Sequence, residues 1–366
     1  MNPKLILKKD EQAIFALRAL YRSFGYLPYK MSRFEEYDLY VRNKDFLVSD
    51  QIITFAGKNG KLLALKPDVT LSIIKNSPDE AGSVQKVYYD EHVYRADSTS
   101  HSIREIPQTG LECIGDLGYY EIAEVVLLAA KSLAALGEDF VLDISHMGLV
   151  ASVLDSCGIF GSARDGALQC LRQKSAHEIG NICPGLTDEA REKLELLVNT
   201  SGRAEQVLGI LERVLSGEAE RQALRELRQL VTILCASGFG DAVRIDFSVG
   251  NDLKYYSGVV FKGYLAGISS SILSGGQYDK LLQKMGRKSR AIGFALYLNL
   301  LQRQEMGYSV YDVDTLILHD ASSDPVMLVA AAEEAGKQGS VLVATSPPRE
   351  RSWGRLLDFR GGQKNG

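Results

Sequence analysis

The feature that most constrains this chain is an interruption. Segments of strand character at Val84 to Arg95, Arg104 to Ile114 and Phe140 to Ile144 give way, from about Leu149 to Leu234, to helical periodicity with Gly and Pro breaks at Gly180, Pro184 and Gly202. Strand signals then return at Val243 to Val249, Tyr255 to Gly263 and Ser269 to Leu273. Strands that bracket a helical stretch predict an α+β fold: an antiparallel sheet flanked by helices, with a helical insertion between its two parts.

The rest of the chain fits around that frame. Ile14, Leu17, Leu20 and Tyr21 recur at three- and four-residue intervals, which predicts an amphipathic helix over Glu11 to Gly25, closed by the glycine. A short extended segment follows near Tyr26 to Phe34. Two apolar runs between Ile52 and Leu65 flank Gly57-Lys58-Asn59-Gly60, a hairpin signature because Asn-Gly supplies positive φ values. Ala96 to Ile103 is a polar loop between two strands, Glu121 to Leu136 a helix ended by Gly137, and Ile292 to Leu301 reads as a last amphipathic helix. From Val313 the pattern becomes strand (Thr315 to His319), helix (Asp324 to Gly336), strand (Ser340 to Ala344), a small α/β appendage. Pro347 to Gly366 is polar and glycine-rich, a composition that leaves its order open. The expected divisions are 1–148 and 241–308 for the sheet-bearing core, 149–240 for the insertion and 309–366 for the appendage.

Composition narrows the function. With 45% hydrophobic and 24% charged residues, 366 residues bury a sizeable core in two or three units. A net charge of -4 supplies no global attraction to a polyphosphate, so nucleic acid is not an expected partner. Cys113, Cys157, Cys170, Cys183 and Cys235 are odd in number and contain no C-x-x-C pair, which fits reduced thiols and offers no metal site. Met1 to Asp10 lacks the apolar core of a signal peptide, and no stretch approaches the ~20 apolar residues of a membrane span. The expected location is the cytoplasm, without a membrane partner.

Four segments carry unusual chemistry. In Leu65-Lys66-Pro67-Asp68-Val69-Thr70, a carboxylate and a hydroxyl two residues apart follow a strand; together they suit an ammonium, and either equally suits the cap of a helix beginning near Leu71. Arg104, Gln108 and Glu112 are separated by even numbers, so on a strand a cation, an amide and an acid share one face, either a binding surface or a solvated one. Tyr94-Arg95-Ala96-Asp97 precedes them. Gly250-Asn251-Asp252-Leu253-Lys254-Tyr255-Tyr256-Ser257-Gly258 pairs tyrosines between glycines, suited either to a polar ligand or to core on one side and surface on the other, and Ser274-Gly275-Gly276-Gln277-Tyr278-Asp279 sets two glycines before a helix, suited either to admitting a ligand beside the backbone or to a plain turn.

In order and spacing, these four segments resemble the core of class II aminoacyl-tRNA synthetases, specifically the histidyl enzymes, over roughly Glu11 to Leu301. The Leu-Arg-Pro-Glu-x-Thr motif of that family resembles Leu65 to Thr70, its second motif resembles Tyr94 to Glu112, and its Arg-Gly-Leu-Asp-Tyr-Tyr resembles Asn251 to Tyr256. The resemblance implies that Asp68, Thr70 and Gln108 face an amino acid's ammonium and that Glu112 and Tyr256 face its imidazole, with Arg104 and Tyr255 beside them as further candidates for histidine binding. Arg95 is then a residual phosphate-binding group.

Adenylation chemistry fits less well. The arginine expected at position 251 is Asn251, the following glycine and aspartate positions hold Asp252 and Lys254, and the family's Gly-Leu-Glu-Arg-Leu resembles Tyr297-Leu298-Asn299-Leu300-Leu301, with Leu300 in place of an ATP-binding arginine. Losing two cations where anionic charge develops costs on the order of 3–4 kcal/mol each. Arg303, one turn on, is the only nearby replacement and stands ~4.5 Å further along a helix axis. Val313 to Gly366 is also short and poor in basic residues for an anticodon-binding domain. The chain thus resembles the regulatory subunits of short-form ATP phosphoribosyltransferase. That resemblance implies no catalytic residue and no cofactor of its own, a homodimer within a hetero-oligomer that includes the catalytic subunit, and histidine as effector. A divergent histidyl-tRNA synthetase and a free-standing histidine-binding paralogue are the alternatives.

Overall fold

The structure is a computed structural model that describes residues 9–47, 52–58, 60–96, 102–249, 255–302 and 311–362. It divides into two compact units, one of Ala13–Leu300 and one in which Leu301–Gly366 groups with the N-terminal residues up to Gln12.

The first unit opens on helix α1 (Lys9–Ser23), which buries Ala13, Leu17 and Tyr21 on one stripe and is followed by Gly25 at φ +82°, as its spacing requires. Strand β1 (Leu27–Pro28) follows. The hairpin forms as expected: β3 (Thr54–Ala56) and β4 (Leu62–Leu65) pair antiparallel around a turn with Gly60 at φ +72°. Together with β2 (Phe34–Glu36), which precedes helix α2 (Tyr37–Val41), they make a separate three-stranded sheet in the order β2-β4-β3. Helix α3 (Thr70–Asn76) leads to the long antiparallel pair β5 (Val84–Ala96) and β6 (Ile103–Gly115), then to α4 (Tyr119–Leu136) and β7 (Phe140–His146). The polar loop expected between β5 and β6 falls largely outside the described residues.

Between β7 and β9 (Val243–Asp246) lie helices α5 (Met147–Ser156), α6 (Gly161–Gln173), α7 (Ile179–Ile182), α8 (Asp188–Asn199), α9 (Ala204–Val214) and α10 (Glu218–Ala236). One strand is hidden among them: β8 (Ser201–Arg203) pairs with β9 although Ser-Gly-Arg carries no apolar side chain to mark it. The chain continues through β10 (Val259–Leu265), β11 (Leu273–Gln277), α11 (Asp279–Lys284), β12 (Arg290–Tyr297) and α12 (Asn299–Gln302). Nine strands join in the order β1-β5-β6-β12-β11-β10-β7-β9-β8. The sheet is antiparallel at its centre but parallel at β1–β5 and β7–β9, so it is mixed and not uniformly antiparallel. Helix α4 closes one face: Leu133 packs where a side chain on Gly263 of β10 would stand.

Several sequence expectations need correction. Ile292 to Leu301 is strand through Tyr297 and helix only over Asn299–Gln302. A central strand covered on both faces carries a continuous apolar run, Ala291 through Leu296 here, and periodicity alone does not tell that run from a helix. Tyr255 and Tyr256 precede β10, which begins at Val259, and β11 begins at Leu273 where the expected strand ended; the glycine pair Gly275–Gly276 is therefore inside a strand. Strand β9 stops at Asp246 and a 3-10 turn covers Phe247–Val249.

In the second unit, β13 (Val313–Leu318), α13 (Pro325–Gly336) and β14 (Val341–Ala344) form the expected β-α-β unit, with Asp324 capping the helix through the Val326 N–H at 2.9 Å. The polar terminal stretch, whose order its composition leaves open, contributes β15 (Trp353–Asp358), which pairs parallel with β13 in a sheet β14-β13-β15. Leu357 and Phe359 anchor it against Ile317.

Candidate functional site

A cavity of about 420 Å³ opens on the face of the nine-stranded sheet opposite α4. Its floor follows from strand register. On β6, Gln108 and Glu112 point to this face with Gly110 between them, and they are 5% and 2% exposed. Glu112 lies opposite Gly293 of β12, and Gly293 lies opposite Gly276 of β11. A Cβ on Gly293 would occupy the space of the Glu112 carboxylate, and one on Gly276 would strike the Tyr256 ring. Two glycines in one row hollow out a sheet that would otherwise be filled.

The walls come from neighbouring segments. Lys66 is fully buried and paired with Glu91 of β5, which holds the turn before α3 in place. That turn brings Asp68 and Thr70 to the cavity. Asp68 accepts from the Leu71 N–H at 2.9 Å, so it caps the start of α3, and it also lines the cavity. Thr70 donates to Glu112 at 2.7 Å, and the Tyr278 hydroxyl donates to the other carboxylate oxygen. Tyr255 and Tyr256 stack edge to face with centroids 4.5 Å apart, and Tyr255 also lies 6.0 Å from Tyr278. Beneath, Tyr40, Val69, Ile73, Tyr89, Tyr278 and Leu282 belong to one apolar cluster.

Burial pushes the Glu112 carboxyl up to about 8; the hydroxyls of Tyr278 and Thr70 oppose this and the charge of Asp68 adds to it. Asp68 is also pushed up by burial, against the Leu71 N–H and the Arg95 guanidinium. Burial raises the hydroxyls of Tyr89, Tyr255, Tyr256 and Tyr278 well above the usual phenol range, so they serve as neutral hydrogen-bonding groups.

Of the expected residues, the fold brings Asp68, Thr70, Arg95, Gln108, Glu112, Tyr255 and Tyr256 to one cavity. Arg104 stands opposite Arg95 on the exposed end of β6 and outside this lining. Sequence reasoning missed Tyr89, Tyr278, Ser274 and Tyr297, and the pair Phe46–Leu47 at the wall. The even spacing of Tyr278 from Gly276 and Ser274 is uninformative, because the strand ends between them; only the Glu112 contact gives Tyr278 its role. Among the described lining residues, two carboxylates and an amide face a single guanidinium, Arg95, whose Nε donates to the Pro67 carbonyl at 3.2 Å. This polarity suits a zwitterion with an extra cationic or hydrogen-bonding group and is poor in the cations that a triphosphate requires. Leu300 follows β12 in α12; Asn251, Asp252, Lys254 and Arg303 lie outside the described residues. No cluster of metal-ligating side chains occurs among the described residues, and no helix there is long and apolar enough to cross a membrane.

The sequence profile of the histidyl-tRNA synthetase family matches residues 6–301. An ATP phosphoribosyltransferase regulatory subunit from Caldanaerobacter subterraneus is 31% identical over 302 residues, covering 79% of this chain and 78% of that one. The crystal structure of an ATP phosphoribosyltransferase regulatory subunit/histidyl-tRNA synthetase from Bacillus halodurans superposes with a TM-score of 0.75 at 22% identity, over 99% of this chain and 100% of the other. A chain of the ATP phosphoribosyl transferase (HisG:HisZ) complex from Thermotoga maritima gives 0.62 at 18% identity, over 79% and 97%. The chain belongs to the histidyl-tRNA synthetase family, with the class II synthetase fold. Within that family it stands with the ATP phosphoribosyltransferase regulatory subunits, the description shared by relatives at 24 to 31% identity.

Proposed function

We propose that this chain is a non-catalytic regulatory subunit of ATP phosphoribosyltransferase, acting on a separate catalytic subunit at the first step of histidine biosynthesis and carrying histidine in the cavity over β6. The observation that supports this most is the Thr70–Glu112–Tyr278 arrangement: a buried carboxyl fixed by two hydroxyl donors, facing a cavity that also holds Asp68 and Gln108. Asp68 and Gln108 receive the ammonium, Arg95 the carboxylate, and Glu112 with Tyr256 the imidazole. A buried acid beside an imidazole discriminates against apolar side chains, whose binding would leave it unpaired. Histidine acts as an effector if it binds two assembly states with different affinity, and an allosteric coupling of about 1–3 kcal/mol suffices.

Exposed Phe34 and Phe55, stacked edge to face with centroids 5.6 Å apart, support a homodimer as the unit that meets the catalytic subunit, since apolar side chains grouped at a surface mark contact sites. The cytoplasm is its proposed location. Calorimetric titration with histidine tests the site: Asp68→Ala should weaken binding at least tenfold, and unchanged affinity would place the effector elsewhere. Histidine-dependent exchange of pyrophosphate into ATP would favour a synthetase instead.

A further inference from the structure

Phe46 and Leu47 line the cavity but come from neither the nine-stranded sheet nor the turn before α3; they reach it from a 3-10 turn, Lys44–Phe46, that follows α2. The backbone closes that turn: the Phe46 N–H donates to the Asn43 carbonyl and the Leu47 N–H to the Lys44 carbonyl, each at 3.0 Å. Asn43 is buried and ties the turn to α2, donating from its side-chain amide to the Leu39 carbonyl at 2.9 Å. A turn whose backbone groups are satisfied in this way presents its two apolar side chains at a fixed place.

The Phe46 ring is held by two neighbours. Its centroid lies 5.6 Å from that of Tyr255, and the Lys284 ammonium stands 4.7 Å from it, within the range of a cation–π contact. Tyr255 in turn lies beside Tyr278, whose hydroxyl bonds Glu112. Helix α11 follows directly on Tyr278 and ends on Lys284, so one short helix fixes both ends of the aromatic row Phe46–Tyr255–Tyr278 that leads to the acid. Phe46 and Tyr255 are half-buried where Tyr278 is buried, so the outer part of the row keeps surface to give to a ligand. That surface supplies what the polar groups lack. An imidazole and a carboxamide both offer an N–H to Glu112, so hydrogen bonding there does not separate histidine from glutamine. A flat ring does, because aromatic pairs gain free energy beyond the area they bury.

We propose that Phe46 is a specificity-determining residue of the cavity, its ring packing against the imidazole of bound histidine, and that Lys284 is a positioning residue that holds the ring there. The proposal rests on the reading of this cavity as a histidine site.

Calorimetric titration of the full chain with L-histidine, and displacement of the bound histidine with L-glutamine, gives the ratio of the two affinities. Phe46→Leu keeps an apolar side chain and removes the ring; it should narrow the preference for histidine about fivefold, the size of one aromatic contact. Phe46→Tyr should restore the ratio to within about twofold of the parent, and Lys284→Met should fall between the two. A general loosening of the turn weakens both ligands alike and leaves the ratio where it was. If Asp68→Ala weakens histidine binding but Phe46→Leu leaves the ratio unchanged, or Phe46→Tyr loses as much as Phe46→Leu, the proposal is overturned and the histidine site stands. A parent chain that takes up no histidine, or an Asp68→Ala chain that binds it as the parent does, overturns the reading of the cavity and the role of Phe46 with it.

Discussion

Glu112, the proposed imidazole-facing acid, shows how a buried carboxyl is maintained against its own folding cost. Its carboxyl is raised to about 8 mainly by burial, whereas in an unfolded chain it ionises near the ordinary value of 4.5. For an acid raised on folding, the associated stability is fully present below the unfolded value and is lost as pH rises through the folded one. The relevant window here is therefore about pH 4.5 to 8, and each unit is worth about 1.4 kcal/mol. Glu112→Gln removes that loss, so the variant should melt higher than the parent at pH 8 while binding histidine at least tenfold more weakly. Thermal melts and calorimetry across this range check both directions. In the parent, free imidazole is neutral above about 6.5. Between there and about 8 the acid–imidazole pair therefore already holds the one proton it needs, and histidine affinity should be flat. It should decline on both sides, and Glu112→Gln should lose the alkaline decline; an alkaline limb unchanged in the variant would remove Glu112 from the site.

At the scale of elements, what matters is the row Glu112–Gly293–Gly276 across β6, β12 and β11. Gly293→Ala places a methyl group against the carboxylate from the opposite strand, with backbone on its other side. It should cost about 1–3 kcal/mol in a denaturant titration and abolish detectable histidine binding; wild-type affinity in a folded Gly293→Ala chain would contradict the geometry. Little of this row was legible beforehand. The two-residue period of Gln108 and Glu112 correctly assigned them one face, because an edge-to-centre strand with a polar stripe keeps its alternation. Periodicity alone reads strand β12 as a helix because both of its faces are covered, and this hides the row's middle member. The Asn-Gly hairpin and α1 were legible because each is specified locally, by a turn residue or a helical stripe. Strands β8 and β15 were not, because only their partners β9 and β13 make them strands.

At the scale of the whole molecule, the same body that in a synthetase activates histidine here has a cavity lined by one described arginine, and leucine where the family's third motif places another. On the proposed reading, polarity for binding is kept and charge for phosphoryl chemistry is reduced. The motifs made that division visible from sequence, since each depends on a few residues at fixed spacing; the cavity itself required the register of four strands. The most direct measurement is the rate of pyrophosphate release from ATP and phosphoribosyl pyrophosphate by a short-form catalytic subunit, with and without this chain. The rate should rise at least tenfold on mixing and be inhibited by histidine in the mixture. A rate unchanged by the chain would contradict the account.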